Sequence, residues 1–502
     1  MQKTNLNKKA LRRTARRAQE RRTFKPAALA KAMAGVFVCG ALSGNVVGAP
    51  IAVTALIEIG GVSFRATHLD FGNGDVKWDG PVTFDGSSSS LPTTWSFKTS
   101  EAFANFEAGA NDIDLTGAHW KSLASGGSGS FVNDTDHTVK FVGTKNATAK
   151  TYSLIDQLAI DNSDGTGGYG QIVNSGNGTL ELVGNTGYAI RAISSIDNKK
   201  SRGALVNEKG GTVNIYGIGT RDAIYFCTNG TIDNAGTLTV LGDGIYALGE
   251  PGTSSVLAQT HIINRSSGVM KIQGSNSRPA VQVGLTQDYW AWTTGIHVDI
   301  LNEGLFEILG GSSEGEYGIE TIVERGESGC TQQNFKIIND GVLKIKAGVS
   351  QGSSAINKGI GFNESSFGEG IADVGNVTIQ NKKELIIQGA LEGGDLNKKS
   401  NGIDLLVYGP DKFGMSDQGD AKSEFIIENS GTMSWSGSQY GYAIGVLTDG
   451  LKSAAFVEVT NRGIWNLNKY AIGSFGLGQV MFTNAATGTI QAEAGAIYSG
   501  NP

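Results

Sequence analysis

The sequence predicts an all-β chain wound into a right-handed parallel β-helix, a β-solenoid of imperfect Gly/Asn repeats behind an N-terminal signal peptide. Three observations predict it. A phrase of two apolar residues followed by Asn returns along the chain, strictly alternating apolar and polar residues follow each return, and 73 glycines stand against 8 prolines in 502 residues. Collagen would place Gly at every third position with abundant Pro, and a disordered chain would be poor in branched apolar residues. Here Ile, Val and Leu recur in short runs, so the glycines belong to turns between strands.

The first element is the leader, residues 1–49. Its hydrophilic run holds Lys8, Lys9, Arg12, Arg13, Arg16, Arg17, Arg21 and Arg22, and it is followed by the apolar stretch Ala32 to Leu42 and small residues through Ala49. That is the three-part layout of a secretory signal peptide with a long basic first region. The apolar stretch is about half the ~20 residues that span a bilayer and is interrupted by Gly35 and Gly40, so it reads as removable and not as an anchor. Val47-Gly48-Ala49 has the small-residue pattern of a cleavage site, but Pro50 disfavours cutting there, which leaves the bond open. A nucleic-acid-binding arm or a mitochondrial presequence would also be basic; the apolar stretch that follows argues against both.

Charge separates the leader from the body. Residues 1–31 hold eleven Lys/Arg against Glu20 alone, a surplus of ten positive charges, so a formal net charge of −6 leaves −16 for the remainder. An acidic body lacks the clustered basic charge that nucleic acid or an anionic membrane would require.

Residues 50–150 form the second region. They contain Trp78, Trp95 and Trp120, several Asp-Gly and Gly-Asn turns and the run Gly86 to Ser90, and the repeat phrase is weak there. An N-terminal cap or irregular first coils is the expectation, with a separate binding domain as the sharper alternative.

Residues 151–502 carry the repeat. The anchors are Ile172-Val173-Asn174, Leu205-Val206-Asn207, Ile232-Asp233-Asn234, Ile262-Ile263-Asn264, Ile300-Leu301-Asn302 and Ile337-Ile338-Asn339, with looser copies at Asn381, Asn429, Asn461 and Asn484. After one to three polar residues and usually a Gly come runs such as Thr179 to Val183, Thr212 to Tyr216, Thr237 to Leu241 and Val269 to Gln273, whose period of two marks half-buried strands. A third element recurs as Gly187-Tyr188-Ala189-Ile190, Asp222-Ala223-Ile224-Tyr225, Gly244-Ile245-Tyr246-Ala247 and Gly441-Tyr442-Ala443-Ile444. Successive anchors lie 23 to 48 residues apart, so the phrase is kept while insertions vary. Three strands per coil, Asn and Gly at corners that need left-handed backbone, and Asn amides bonding from coil to coil account for this pattern. Antiparallel hairpins are the rival reading, because Asn-x-Gly also marks turns; closed propeller blades would need near-constant spacing.

The basic leader, the scarcity of cysteine (Cys39, Cys227 and Cys330 only), the acidic Gly/Asn-rich body and the Asn-x-Gly-x-apolar-x-apolar phrase together resemble the passenger of a bacterial autotransporter, the type V secretion class. The resemblance covers residues 50–502 and is clearest from 170 to 490. It implies an exported β-helix at the cell surface, outer membrane or outside the cell, serving as an adhesin or structural surface protein. It also implies a host or bacterial surface glycan or protein as partner and an outer-membrane β-barrel as translocator. Such a barrel would show amphipathic strands with aromatic girdles, and Gly500-Asn501-Pro502 instead lies in a repeat-like stretch. The expectation is a fragment, with export by a separate barrel (two-partner secretion) as the alternative.

For chemistry the sequence offers little, and the expectation is a chain that is not an enzyme and holds no cofactor or metal. There is no GxSxG elbow, HExxH or phosphate-binding Gly-Lys-Ser/Thr loop, and Ser125 to Ser130 reads SGGSGS without the Asp of a chymotrypsin-like motif. His68, His119, His137, His261 and His297 show no metal-ligand spacing, and His261 precedes an anchor in a strand. Asp161, Asp164, Gly165, Gly167 and Gly168 lack the ligand order of a calcium loop. Tyr289-Trp290-Ala291-Trp292 lies in a longer insertion and either presents aromatic faces to a partner or packs on the solenoid wall. The runner-up function is a polysaccharide-cleaving β-helix enzyme resembling pectate lyases, which would need several carboxylates and a Lys or Arg gathered on one sheet.

Overall fold

The computed structural model describes the strands and tight corners of the chain between residues 55 and 500. Residues 1–54, and with them the leader, lie outside the described residues, as do longer connections such as 144–168, 248–257, 286–295, 325–332, 347–359 and 409–420; before Asn133 the backbone alone is described. Every element among the described residues is a strand.

The strands stack into three long sheets of twelve, thirteen and ten strands. One coil shows how. Arg202–Asn207 joins the twelve-stranded sheet, Thr212–Tyr216 the thirteen-stranded sheet and Ile224–Phe226 the ten-stranded sheet, and Asn229–Asn234 then returns to the first sheet beside Arg202–Asn207. From Tyr169 to Gly500 ten such coils follow one another, and every pairing within the three long sheets is parallel. The chain is a parallel β-helix. The hairpin reading fails on this point: Ala55–Ile59 against Val62–Ala66 is antiparallel, and it stands outside the three long sheets.

Strands on either side of residues 144–168 pair into the same two sheets. Val76–Asp85, Ile113–Ser122 and Thr138–Gly143 extend the thirteen-stranded sheet, and Thr94–Lys98 and Ser128–Asp134 extend the twelve-stranded one. These first coils are irregular, with register shifts between Asp79 and Val82, Phe84 and Asp85, and Thr116 and Ala118.

The alternation read from the sequence becomes an inside and an outside. Thr212–Tyr216 alternates half-buried and buried residues, with Val213 and Ile215 inside, and the strands on either side repeat the pattern. In register, Leu180, Val213, Leu238, Met270, Phe306, Leu343, Leu385 and Met433 form one buried column, and Ile215, Val240, Ile272, Ile308, Ile345 and Ile387 stand in the next. Full burial of such a side chain contributes ~1.5–3 kcal/mol relative to exposure. The stacked columns therefore supply the main driving force of a fold in which each coil touches only its neighbours.

The corners work differently from the sequence expectation. No non-glycine residue has positive φ among the described residues; Gly210, Gly242 and Gly244 alone do. The anchor asparagines keep ordinary backbone and are chosen for their side chains. The corner glycines are selected mainly by close approach. At Gly463 an added Cβ would run into the carbonyl oxygen of Gly431 one coil earlier, and at Gly341 into that of Gly304. The backbone at this corner pairs from coil to coil, as where Ile464 N donates to Gly431 O at 2.8 Å and Val342 N to Gly304 O at 2.8 Å, leaving no room for a side chain.

Candidate functional site

Inside the first corner runs a continuous amide ladder. Asn133, Asn174, Asn207, Asn234, Asn264, Asn302, Asn339, Asn381, Asn429, Asn461 and Asn484 stand in register, and each Nδ2 donates to the next Oδ1 at 2.7 to 3.0 Å. The same Nδ2 groups also donate to a carbonyl in the following coil, for example Asn207 to Thr237 O at 3.0 Å and Asn429 to Ile464 O at 3.0 Å. Ten of the eleven asparagines are buried, from Asn133 to Asn461, and only Asn484 is exposed. An amide has two donors and an acceptor with two lone pairs, which is what a buried ladder rung needs in order to leave nothing unsatisfied.

Titratable chemistry appears on the outer face of the same sheet. His261 lies three residues before Asn264, and Asp299 three before Asn302, so stacking the ladder makes them register partners; His297 lies on the same outer face, two residues before Asp299. His261 Nδ1 is 3.2 Å from Asp299 Oδ2, and His297 Nε2 is 2.9 Å from Asp299 Oδ1. The two rings have centroids 6.4 Å apart and are tilted by 57°. All three side chains are about one-third exposed. Partial burial pushes the Asp299 carboxyl up, but hydrogen bonds from His261 and His297 and the charges of both rings outweigh it and hold the group below the usual carboxylate range. Each imidazole takes a different carboxylate oxygen, and among the described residues no group of His, Cys, Asp or Glu is arranged to hold a metal ion.

Part of the remaining charge on the described surface is paired between consecutive coils. Arg265 grips Asp233 with two hydrogen bonds of 2.8 and 2.6 Å, Lys382 meets Asp340 at 3.0 Å, and Lys346 meets Glu307 at 3.0 Å. On one outer face Glu424, Glu428 and Glu458 stand together, with Ile426 opposite Glu458, and Gln380 donates to Glu428 at 2.8 Å. None of the three is ion-paired among the described residues.

Comparison with the models of known protein families, with curated proteins and with solved structures finds no match to this chain. What can be said of its chemistry rests on the geometry alone.

Of the residues singled out by sequence, His261 lies in Ala258–Asn264 as expected, and His297 joins it. The association was missed because His261 and His297 are 36 residues apart, a spacing with no meaning until coil length is known. Counting back from each anchor would have aligned His261 with Asp299. His119 and Ser128 to Ser130 fall in strands whose side chains are not described, while His68, His137, Asp161 to Gly168, Cys227, Tyr289 to Trp292 and Cys330 lie outside the described residues.

Proposed function

We propose that the chain is the passenger of an autotransporter-type export system, displayed at a bacterial surface as an adhesin or structural surface protein. The observation that carries this reading is the unbroken ladder from Asn133 to Asn484 through coils as unequal as the 27 residues between Asn207 and Asn234 and the 48 between Asn381 and Asn429. A passenger crosses the membrane unfolded and must fold as it emerges. A solenoid suits this, because each coil completes its hydrogen bonds and its core against its neighbour and needs no distant part of the chain. At about 4.8 Å per coil the ladder is also a stiff spacer, and insertions of any length between strands can present weak contacts that add by multivalency. The basic leader and the near absence of cysteine support the same reading, since early disulfides would block passage.

The test is to express the whole chain, joined to an outer-membrane β-barrel translocator, in a Gram-negative host. The expected result is loss of the leader in the forties by N-terminal sequencing of the mature chain, and digestion of the body by protease added to intact cells. An uncleaved chain retained in the cytoplasm would overturn the proposal. Release of unsaturated sugars from pectate by the purified chain would replace the adhesin reading with the lyase one.

A further inference from the structure

We propose that His261, Asp299 and His297 form a proton-operated clasp between two successive coils, tight when an imidazole is protonated and slack when both are neutral. The inference rests on placement and does not depend on the export reading.

One carboxylate is shared by two imidazoles, one on its own strand and one on the preceding coil, and each ring occupies a separate oxygen at hydrogen-bond distance. The backbone ladder already fixes the two strands in register, so the side chains meet with little further loss of freedom. A neutral imidazole can donate one N–H to Asp299. A protonated one donates the same bond with a full charge behind it, and charge-assisted bonds are roughly twice as strong. Imidazoles as a class change charge between about pH 5 and 8, a range in which Asp299, held below the usual carboxylate range, stays ionised.

The charges around the cluster decide how many protons it takes. On the following coil Lys336 is the register partner of Asp299, on the same outer face, and it is in no ion pair among the described residues. Thr231 on the preceding coil, and Gln259 and Asn334 beside His297, are uncharged. Asp233 is already engaged by Arg265, and Glu303 lies past the corner. The first proton therefore converts a site of net charge −1 into a neutral one, while a second would place two imidazolium ions, their ring centroids 6.4 Å apart, on one carboxylate. The clasp works as a one-proton device.

The clasp joins only two coils, so its effect is local opening and is read by hydrogen exchange of the full chain. At pH 5.5 the amides of Ala258–Asn264 and Ile296–Asn302, corrected for the intrinsic rate, should be protected about three-fold more than at pH 8.0, in line with a partly exposed charged pair. That difference should vanish in H261Q/H297Q and in D299N, while Ala421–Asn429, which faces neither histidine, shows none in any of the proteins and reports that the variants are folded. R265Q, which breaks a cross-coil pair without a histidine, should keep the pH difference in the clasped strands. An equal pH response in H261Q/H297Q and the unaltered chain would overturn the proposal. So would a difference of the same size in Ala421–Asn429.

Discussion

Asn264 donates its side-chain amide to Asn302 across 38 residues of sequence and 2.9 Å of space, and Asn302 passes the same bond on to Asn339 at 2.8 Å. Both residues are fully buried, so each rung is at once a donor to the rung after it and the acceptor that satisfies the rung before it.

Asn302→Ala should therefore do more than delete one side chain. It takes the side-chain acceptor from Asn264 Nδ2, which keeps only carbonyls at 3.0 and 3.2 Å, and the side-chain donor from Asn339 Oδ1, which keeps only Gly341 N at 3.3 Å; a poorly met buried group costs about 1–3 kcal/mol. A loss of about 2–4 kcal/mol is expected in denaturant unfolding. Asn302→Asp should cost more at pH 7, because the carboxylate cannot donate to Asn339 and burial penalises its charge; its stability should recover as pH falls and the group protonates. Equal stability of N302A and N302D at neutral pH would show that the ladder is not held by paired donors and acceptors.

Gly463→Ala places a Cβ against the Gly431 carbonyl oxygen. Backbone cannot give way there without breaking the Ile464 N to Gly431 O bond, so a loss of about 1–3 kcal/mol is expected. Calorimetry would check it, and an unchanged melting midpoint would mean the corner has slack.

Core positions should differ in a way that size alone does not predict. Ile308→Ala empties a fully buried site in the middle of a column and should cost about 2–5 kcal/mol. Trp435→Phe removes a larger ring but also a buried indole N–H that has no acceptor among the described residues, so lost packing and the relieved donor offset one another. The expected cost is below about 1 kcal/mol, and a W435F protein less stable than I308A in urea would refute this balance.

Acid should destabilise the chain in part through Asp299 and Glu307. Asp299 is lowered despite partial burial, by its two histidines; Glu307 is lowered first by its hydrogen bond from Lys346. A carboxyl whose folded value lies below its unfolded one stabilises the fold above the unfolded value, and that stability disappears as pH falls through the folded one. Asp299→Asn should accordingly flatten the decline in stability below about pH 4 and leave the slope above pH 8 unchanged. A D299N protein with an unaltered acid limb would show that the carboxylate contributes nothing there.

The strands were legible because each is a local fact. Thr212 to Tyr216 alternates in sequence as it alternates between inside and outside, and the Asn anchors mark the corner that precedes each such strand. The Asn corners were misread in one respect. Asn and Gly share a reputation for left-handed backbone, yet in this fold the asparagine side chain builds a ladder and Gly463 is required by the close approach of a neighbouring coil. The same limit hid the outer face, since nothing in the residues around His261 announces Asp299.

The sequence by itself determined the strand pattern, the coil phrase and the apolar columns, because alternation of side chains along an extended chain needs no knowledge of what lies beside it. Tertiary structure alone decided which side chains meet across coils on the outer face, as His261 meets Asp299. Unequal insertions between constant strands erase any fixed period, and only parallel pairing in register sets the carboxylate of Asp299 between two histidines.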